Sequence, residues 1–432
     1  MDLAALDRFK LHEAGTTVRT EVLAGVTTWL AMVYIVAVNP SILATTGMDH
    51  GALFVATCLG AGLGSIAMGL YANYPLALAP GMGINAYFAF IVVGSLHIPW
   101  QVALGAVFLS GVLFLIVSLL RMREWLINAI PLSLKLGIGA GIGFFLALIG
   151  LEQMGVVAAS PTTYVTLGDL ADPSTLLACG GFLLMAVLAA RGVAAALLIG
   201  ILVTAASGIP LGLTAFDGIV SLPPSIAPTF MQMDIQGALG LGVVTVVLTF
   251  FLIDVLDNAG TLIAVTHRAG LMRADGTVPR LRQVLTADSG GAMLGATLGT
   301  STVVSYIESA AGIQAGGRTG LTAVVAGVLF LATLFFAPLA TALPSFATAP
   351  ALLFVACLMA RALKDLDWDD LTEYLPAVVT ALVLPLTFSI SAGIGLGFIV
   401  YAAVKTFAGR WREVGGAVWL IALASGLKFA IQ

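Results

Sequence analysis

Apolar runs of about 20 residues recur along almost the whole of this 432-residue chain, and they constrain the fold more than any other feature. A run of that length crosses a hydrocarbon core as a single helix. The chain is 60% hydrophobic and only 9% charged, too little charge to cover a soluble protein of this length. The short segments of alternating hydrophobicity that mark a membrane barrel are missing. The class is therefore an all-α polytopic membrane protein.

Fourteen transmembrane segments are expected. The first seven lie near 21–43, 52–71, 75–94, 101–120, 131–152, 174–190 and 193–213, and the second seven near 237–265, 283–298, 300–317, 319–338, 346–363, 373–390 and 392–408. A further apolar stretch, 415–431, is short and interrupted by glycine, and reads as an interfacial or partly inserted helix. With the N-terminus inside, Arg8, Lys10, Arg19, Arg121, Arg123, Lys135, Arg191, Arg268, Arg273, Arg280 and Arg282 all fall on the cytoplasmic side. Arg318, Arg361, Lys364, Lys405, Arg410 and Arg412 follow them, and every expected outer loop is free of Lys and Arg. This is the positive-inside pattern, and it places both termini in the cytoplasm of a cell whose inner membrane the chain spans.

Two segments are not clean helices. The third reads YPLALAPGMGINAYFAF (74–90), where Pro75 and Pro80 bracket a short extended piece. Proline in a helix interior removes a donor and clashes with the preceding turn. The tenth reads GTSTVVSYIESAAGIQAGG (299–317); it opens with β-branched and hydroxyl residues and then turns helical through Tyr306, Ile307 and Glu308. Both read as a short strand leading into a half-helix. Irregular backbone at membrane depth is tolerated only inside protein or along a cavity, and paired breaks in two halves point to a transporter site. Asn85 and Glu308 stand 223 positions apart, about half the chain, and seven segments per half require the second half to run inverted. The expectation is a 7+7 inverted repeat with short strands in broken segments 3 and 10.

The eighth segment contains FFLIDVLDNAG (250–260), with Asp254 and Asp257 in an apolar run that holds no Lys or Arg. Residues three apart share one helix face, which Asn258 and Thr261 extend. A charged acid at the bilayer centre costs about 2.5–3.5 kcal/mol on insertion scales, so acids at that depth mark proton relays or polar-substrate sites. Desolvation favours the neutral carboxyl, which lets such a group exchange protons. Asp254, Asp257 and Glu308 are accordingly the candidate proton-coupling residues. Candidate substrate contacts are Asn85, Asp254 and Glu308, with Thr28, Ser301, Thr302 and Tyr306 beside them. Hydroxyl residues of this kind also serve ordinary helix packing, Asn85 also suits a cap at the helix break, and Asp288 reads as a cap near the start of segment nine.

Other constellations carry less. Cys58, Cys179 and Cys357 are far apart and read as small buried apolar side chains, and the four histidines lie at loops or segment ends without metal-ligand spacing. No metal and no cofactor is expected. Asp365, Asp367, Asp369 and Asp370, close to Arg361 and Lys364, read as a helix start or a salt-bridged lock rather than a metal site. An enzyme would need a Ser–His or metal-ligand set at depth, which is not seen, and the acids would repel a small anionic cargo. A passive channel is the other alternative.

Several long stretches resemble a known family: KLHEAGTTVRTEVLAGVTTWLAMVYIVAVNP (10–40), YANYPLALAPGMGINAYFAF (71–90), DVLDNAGTLIAVTHRAGL (254–271), GTSTVVSYIESAAGIQAGGRTGLTAVV (299–325) and DWDDLTEYLPA (367–377). They are similar to the adenine/guanine/hypoxanthine permease branch of the nucleobase–cation symporters, in the xanthine/uracil permease superfamily. The resemblance implies a core domain of spans 1–4 (1–128) and 8–11 (237–340), and a gate domain of spans 5–7 (129–236) and 12–14 (341–432). It also implies proton-coupled uptake of purine nucleobases, a homodimer in the lipid bilayer, and no dealings with nucleic acid. By motif match Asn85, Asp254 and Glu308 take the substrate-contacting positions, and Asp257 supports them. The same fold carrying another nucleobase, xanthine or uracil, or a small anion, is the alternative.

Overall fold

A proline-bracketed strand inside a membrane protein needs a partner for its backbone, and the partner here comes from the other half of the chain. The computed structural model describes residues 8–119, 130–215, 218–240, 242–255, 279–387 and 389–431. In chain order the first elements are α1 (Val18–Met32), α2 (Ile35–Leu43), α3 (His50–Ala67), β1 (Leu78–Pro80), α4 (Met82–Ala86), α5 (Trp100–Leu119) and α6 (Leu132–Gln153). A hairpin of β2 (Val157–Ser160) and β3 (Tyr164–Leu167) precedes α7 (Pro173–Ala190), α8 (Ala196–Gly208), α9 (Ile235–Ala238) and α10 (Val244–Val255). Then come α11 (Leu281–Leu298), β4 (Val303–Ser305), α12 (Ser309–Gln314), α13 (Gly320–Thr333), α14 (Ala337–Thr341) and α15 (Ser345–Ala360). The chain closes with α16 (Leu371–Leu386), α17 (Ile390–Phe407) and α18 (Gly416–Ile431).

The mainly helical class and the two broken segments are as expected. Among the described residues seven helices are long and apolar enough to cross a membrane, and shorter apolar helices accompany them. Boundaries shift where the chemistry dictates. The eighth segment starts at Val244 rather than at 237, because Asp234 caps the separate short helix α9 through Gly237 N. In the tenth segment the strand is 303–305 and helix begins only at Ser309, so Glu308 is the N-cap residue rather than a helix-interior one. The third segment continues past Ala86 as π-helical turns from Tyr87 to Ser95. Residues 416–431 form a helix that packs on α17. Asp257, Asn258 and Thr261 lie outside the described residues.

Two compact units are present, Met1–Leu119 with Ala171–Thr348, and Leu120–Leu170 with Ala349–Gln432. In the first, β1 and β4 pair antiparallel in the register Leu78↔Ser305, Ala79↔Val304 and Pro80↔Val303. Gly81 N donates to Thr302 O and Tyr306 N to Ala77 O, both at 3.0 Å, so the ladder extends one bond beyond each strand. Glycines on two helices let the strands fit. Val303 lies against Gly60 and Gly64 of α3 and against Gly291 and Gly295 of α11. A Cβ on Gly291 would stand 2.8 Å from Val303 O, whereas one on Gly64 would meet only side-chain atoms of Val303 and Leu78, from 3.2 Å. Beneath the strands Met68, Tyr74, Leu76, Leu78, Val284, Leu285, Val303 and Ile313 form one buried apolar cluster. Gly299, left-handed at φ +87°, ends α11 and turns the chain into the strand.

The second unit is a bundle of α6, α16, α17 and α18. Cys357 on α15 is exposed, unlike the fully buried Cys58 of the first unit, so the expectation of three buried cysteines fails there; its outward position needs no polar partner. At one end of the bundle Asp370 caps α16 by accepting from Thr372 N at 2.9 Å and pairs with Arg410 at 2.6 Å. Arg410 also grips Glu413 with Nε at 2.7 Å and Nη2 at 2.8 Å. The fully buried Lys405 bridges Glu373 and Glu413, at 2.7 Å each. The acidic run is therefore a helix start and a salt-bridged lock, with Arg410 rather than Arg361 or Lys364 as the cation. The Thr372 hydroxyl and then the Arg410 guanidinium hold the Asp370 carboxyl at about 2, and Arg410 and then Lys405 do the same for Glu413.

Two predictions follow from this packing. Gly291→Ala destabilises the protein by about 1–3 kcal/mol through a clash with backbone, whereas Gly64→Ala costs less; thermal unfolding of the purified proteins in one detergent ranks them. Both Asp370 and Glu413 have folded-state pKa values below their ordinary ones, so the stability they lend is full above the unfolded values and lost as pH falls through the folded ones. The gap in thermal midpoint between wild type and Arg410→Gln is constant from about pH 8 to pH 5 and shrinks from about pH 4 toward pH 2.

Candidate functional site

Polar side chains inside the first unit gather where the two strands cross. Asn39, in the apolar turn before Pro40, is fully buried in α2. Its Nδ2 donates to Thr57 Oγ1 at 2.7 Å and to Thr300 Oγ1 at 2.9 Å. Its Oδ1 accepts from Asn85 Nδ2 at 2.5 Å, and the Ser301 hydroxyl donates to Asn85 Oδ1. One chain of hydrogen bonds thus ties the first span, the helix after β1 and the approach to β4. Asn85 is not a cap on its own helix. Its carbonyl and one N–H serve this network, leaving the second N–H for another partner.

The tenth segment is held as closely. Ser305 donates to Asp288 Oδ1 from its backbone N at 2.8 Å and from Oγ at 2.6 Å. Asp288 of α11 is buried and holds the end of β4, rather than capping its own helix as expected. The Tyr306 hydroxyl donates to Pro80 O at 2.6 Å, and the Ser309 hydroxyl accepts from Ala77 N at 3.0 Å. Strand β1 is fixed from its other side by Ser65, whose hydroxyl accepts from Leu78 N at 2.8 Å. These bonds replace the water that a strand would otherwise need at this depth.

Glu308 sits at the start of α12, half-buried, next to the half-exposed Ile307. Its side chain does not cap α12; Oε1 instead accepts from the Tyr34 hydroxyl at 2.9 Å. Thr28, one and a half turns before Tyr34 on α1, lies against Gly312, one turn after Glu308 on α12. The first span and the half-helix therefore run side by side with matched polar positions. The hydroxyls of Thr28 and Thr302 are buried and have no hydrogen-bond partner among the described residues. Asp254 is buried on α10, one turn beyond Phe250. Phe250 meets Tyr87 edge-on at 5.0 Å and Phe88 at 6.4 Å, so this part of α10 adjoins the helical part of segment three. Asp257 lies outside the described residues.

Three polar residues escaped the sequence reading. Asn39 and Tyr34 lie inside the first span, and an amide in the run IVAVNP (35–40) is a visible signal, because a polar group at depth needs a partner. Glu21, at the start of the first span, is the third. It is fully buried and accepts from Arg318 N at 2.8 Å, Thr319 N and Thr322 N at 3.2 Å, and the Thr322 hydroxyl at 2.6 Å. An acid on α1 thus supplies acceptors for the orphan N–H donors at the N-terminus of α13, where a carboxylate also suits the helix dipole.

Broken helices paired through strands, with a buried polar cluster at the crossing, define a membrane carrier. Among solved structures the transmembrane domain of the cyanobacterial bicarbonate transporter BicA has the same fold, with a TM-score of 0.64 at 16% identity, covering 88% of this chain and 97% of that one. The chain belongs to the xanthine/uracil permease family, whose model, described as a permease family, matches residues 19–396. It is 48% identical to the adenine permease AdeQ of Escherichia coli over 98% of this chain and 95% of that one. It is 43% identical to the guanine/hypoxanthine permease PbuG of Bacillus subtilis over 94% of this chain and 95% of that one.

Asn39→Ala leaves the Asn85 amide, Thr57 and Thr300 without their shared partner. Each buried polar group left unsatisfied costs about 1–3 kcal/mol, so the variant is expected to unfold at a clearly lower temperature than wild type in the same detergent. An unchanged midpoint would show that the network is not needed to hold the strands.

Proposed function

We propose that this chain carries purine nucleobases across the cell membrane by proton-coupled secondary active transport. The observation that carries the reading is Glu308, a half-buried carboxylate at the start of a half-helix that meets the crossed strands, in a chain closely related to adenine and guanine/hypoxanthine permeases. A purine is flat, with ring N–H donors and N or O acceptors on its edge. A carboxylate accepts from a ring N–H, and the N-terminal N–H groups of α4 suit its acceptors. The buried hydroxyls of Thr28 and Thr302 are further groups that a polar heterocycle would satisfy. Ser301 and Tyr306, engaged with Asn85 and Pro80, shape the site rather than contact the substrate in this reading. Asn85 contributes its second N–H.

Asp254 and Glu308 are the groups assigned to the coupling proton, with Asp257 as a supporting acid. The crossed strands and the helices that hold them (1–128 and 237–340) form the moving core, and 129–236 and 341–432 the gate against which it works. The Lys and Arg distribution supports cytoplasmic termini. A homodimer follows from the family likeness alone. An anionic cargo, which the fold likeness to a bicarbonate transporter raises, is disfavoured by two acids at the site. No enzymatic step is assigned.

Proteoliposomes holding the purified protein, given radiolabelled hypoxanthine and an inward proton gradient, test the reading. Accumulation is expected, and a protonophore should collapse it. Glu308→Gln and Asp254→Asn are expected to abolish accumulation while the proteins remain folded. Normal concentrative uptake in both variants would overturn the assignment of the two acids, and uptake indifferent to the protonophore would overturn proton coupling.

A further inference from the structure

Tyr34 stands at the only place where the first span changes its winding among residues 18–43: α1 ends at Met32, α2 begins at Ile35, and the two residues between form a turn. Around it the backbone bonds tighten to three-residue spacing, with Val36 N donating to Val33 O and Ala37 N to Tyr34 O, both at 3.1 Å. The Tyr34 side chain is 1% exposed, so its ring is fixed by packing. A buried phenol keeps its hydroxyl only where it finds a partner, and the partner is Glu308 Oε1 at 2.9 Å. Glu308 Oε2 accepts no hydrogen bond from another described residue. Among the described residues Tyr34 is thus the one side chain that donates to the Glu308 carboxylate, and the helix of Glu308 does not use that carboxylate as a cap.

We infer that Tyr34 is a positioning residue for substrate recognition. By donating to Oε1 it fixes the orientation of the Glu308 carboxylate and leaves Oε2 as the acceptor for a ring N–H of the bound heterocycle. This rests on the reading of Glu308 as a substrate contact. A carboxylate on a flexible side chain gives up rotamer freedom on binding, and a fixed donor removes that cost beforehand. The first span thereby shares in selectivity without touching the substrate, and ligands that lack an acidic ring N–H gain nothing from it. The Thr28–Gly312 contact, about one and a half turns from Tyr34 and one turn from Glu308, keeps the two elements in the register that the Tyr34 hydroxyl needs.

The test uses the full-length purified protein in lipid nanodiscs with radiolabelled hypoxanthine, guanine and adenine as probes. Tyr34→Phe keeps the buried ring and removes only the donor. The dissociation constant of whichever purine binds should rise about tenfold, the size expected for one hydrogen bond to a charged group, with the thermal midpoint close to that of wild type. Infrared difference spectra supply the second readout. The carboxyl band missing from Glu308→Gln belongs to Glu308, and it should shift in Tyr34→Phe. If phenylalanine impairs folding, a fluorinated tyrosine at position 34 keeps ring and hydroxyl while strengthening the donor, and it must move the same band. Unchanged affinity in Tyr34→Phe overturns the inference, as does lost affinity with an unmoved band. Wild-type affinity in Glu308→Gln would instead overturn the substrate site itself, so the two failures are distinguishable.

Discussion

Everything in the first unit depends on satisfying two short strands at membrane depth. A bilayer offers no water to their N–H and C=O groups, so each strand must bond to protein on every side. Here β1 and β4 do this for one another, and the flanking pairs Gly81–Thr302 and Tyr306–Ala77 complete the ladder. The outer edges are taken up by Ser65 on one strand and by Asp288 on the other. Such close bonding needs close backbones, and the glycines of α3 and α11 are where the helices give way to Val303. Glycine content that would weaken an isolated helix is thus what lets these helices enclose a sheet.

The crossing also explains where the chemistry lies. Short helices begin just after both strands, at Met82 and at Ser309, and the polar groups there include those that the network does not consume. Asn39 makes one hydrogen bond each with Asn85, Thr57 and Thr300, and the Ser301 hydroxyl donates to the Asn85 carbonyl. What is left over among the described residues is one amide hydrogen of Asn85, the hydroxyls of Thr28 and Thr302, and one oxygen of Glu308. A few polar groups in an otherwise apolar surround match the needs of a flat, polar-edged ligand. Structural and functional polar groups are therefore neighbours on the same elements, and only their hydrogen bonds separate them.

Much of this was legible in the sequence, because proline and charge are expensive in a membrane. Pro75 and Pro80 exposed the third break, the β-branched run before Tyr306 exposed the tenth, and Asp254 and Glu308 stood out in apolar surroundings. What stayed hidden was long-range. That Asn85 faces Asn39, that Glu21 caps a helix nearly 300 residues away, and that Asp288 holds a strand are matters of tertiary pairing that no local pattern encodes. The start of the half-helix was misplaced because Tyr306 and Glu308 both suit a helix, while the strand pairing of Ser305 and the Tyr306–Ala77 bond keep the chain extended for longer. Arg410 was missed as the partner of Asp370 for the same reason, since it lies 40 residues from the acid it neutralises.

Amide hydrogen exchange read by mass spectrometry, with and without saturating purine, addresses the central claim most directly. The strand crossing as binding site predicts slowed exchange on purine addition in the segments covering 78–86 and 303–312, together with the turn at Tyr34. Purine-dependent protection confined to residues 349–432, or its absence from both half-helix starts, would contradict it.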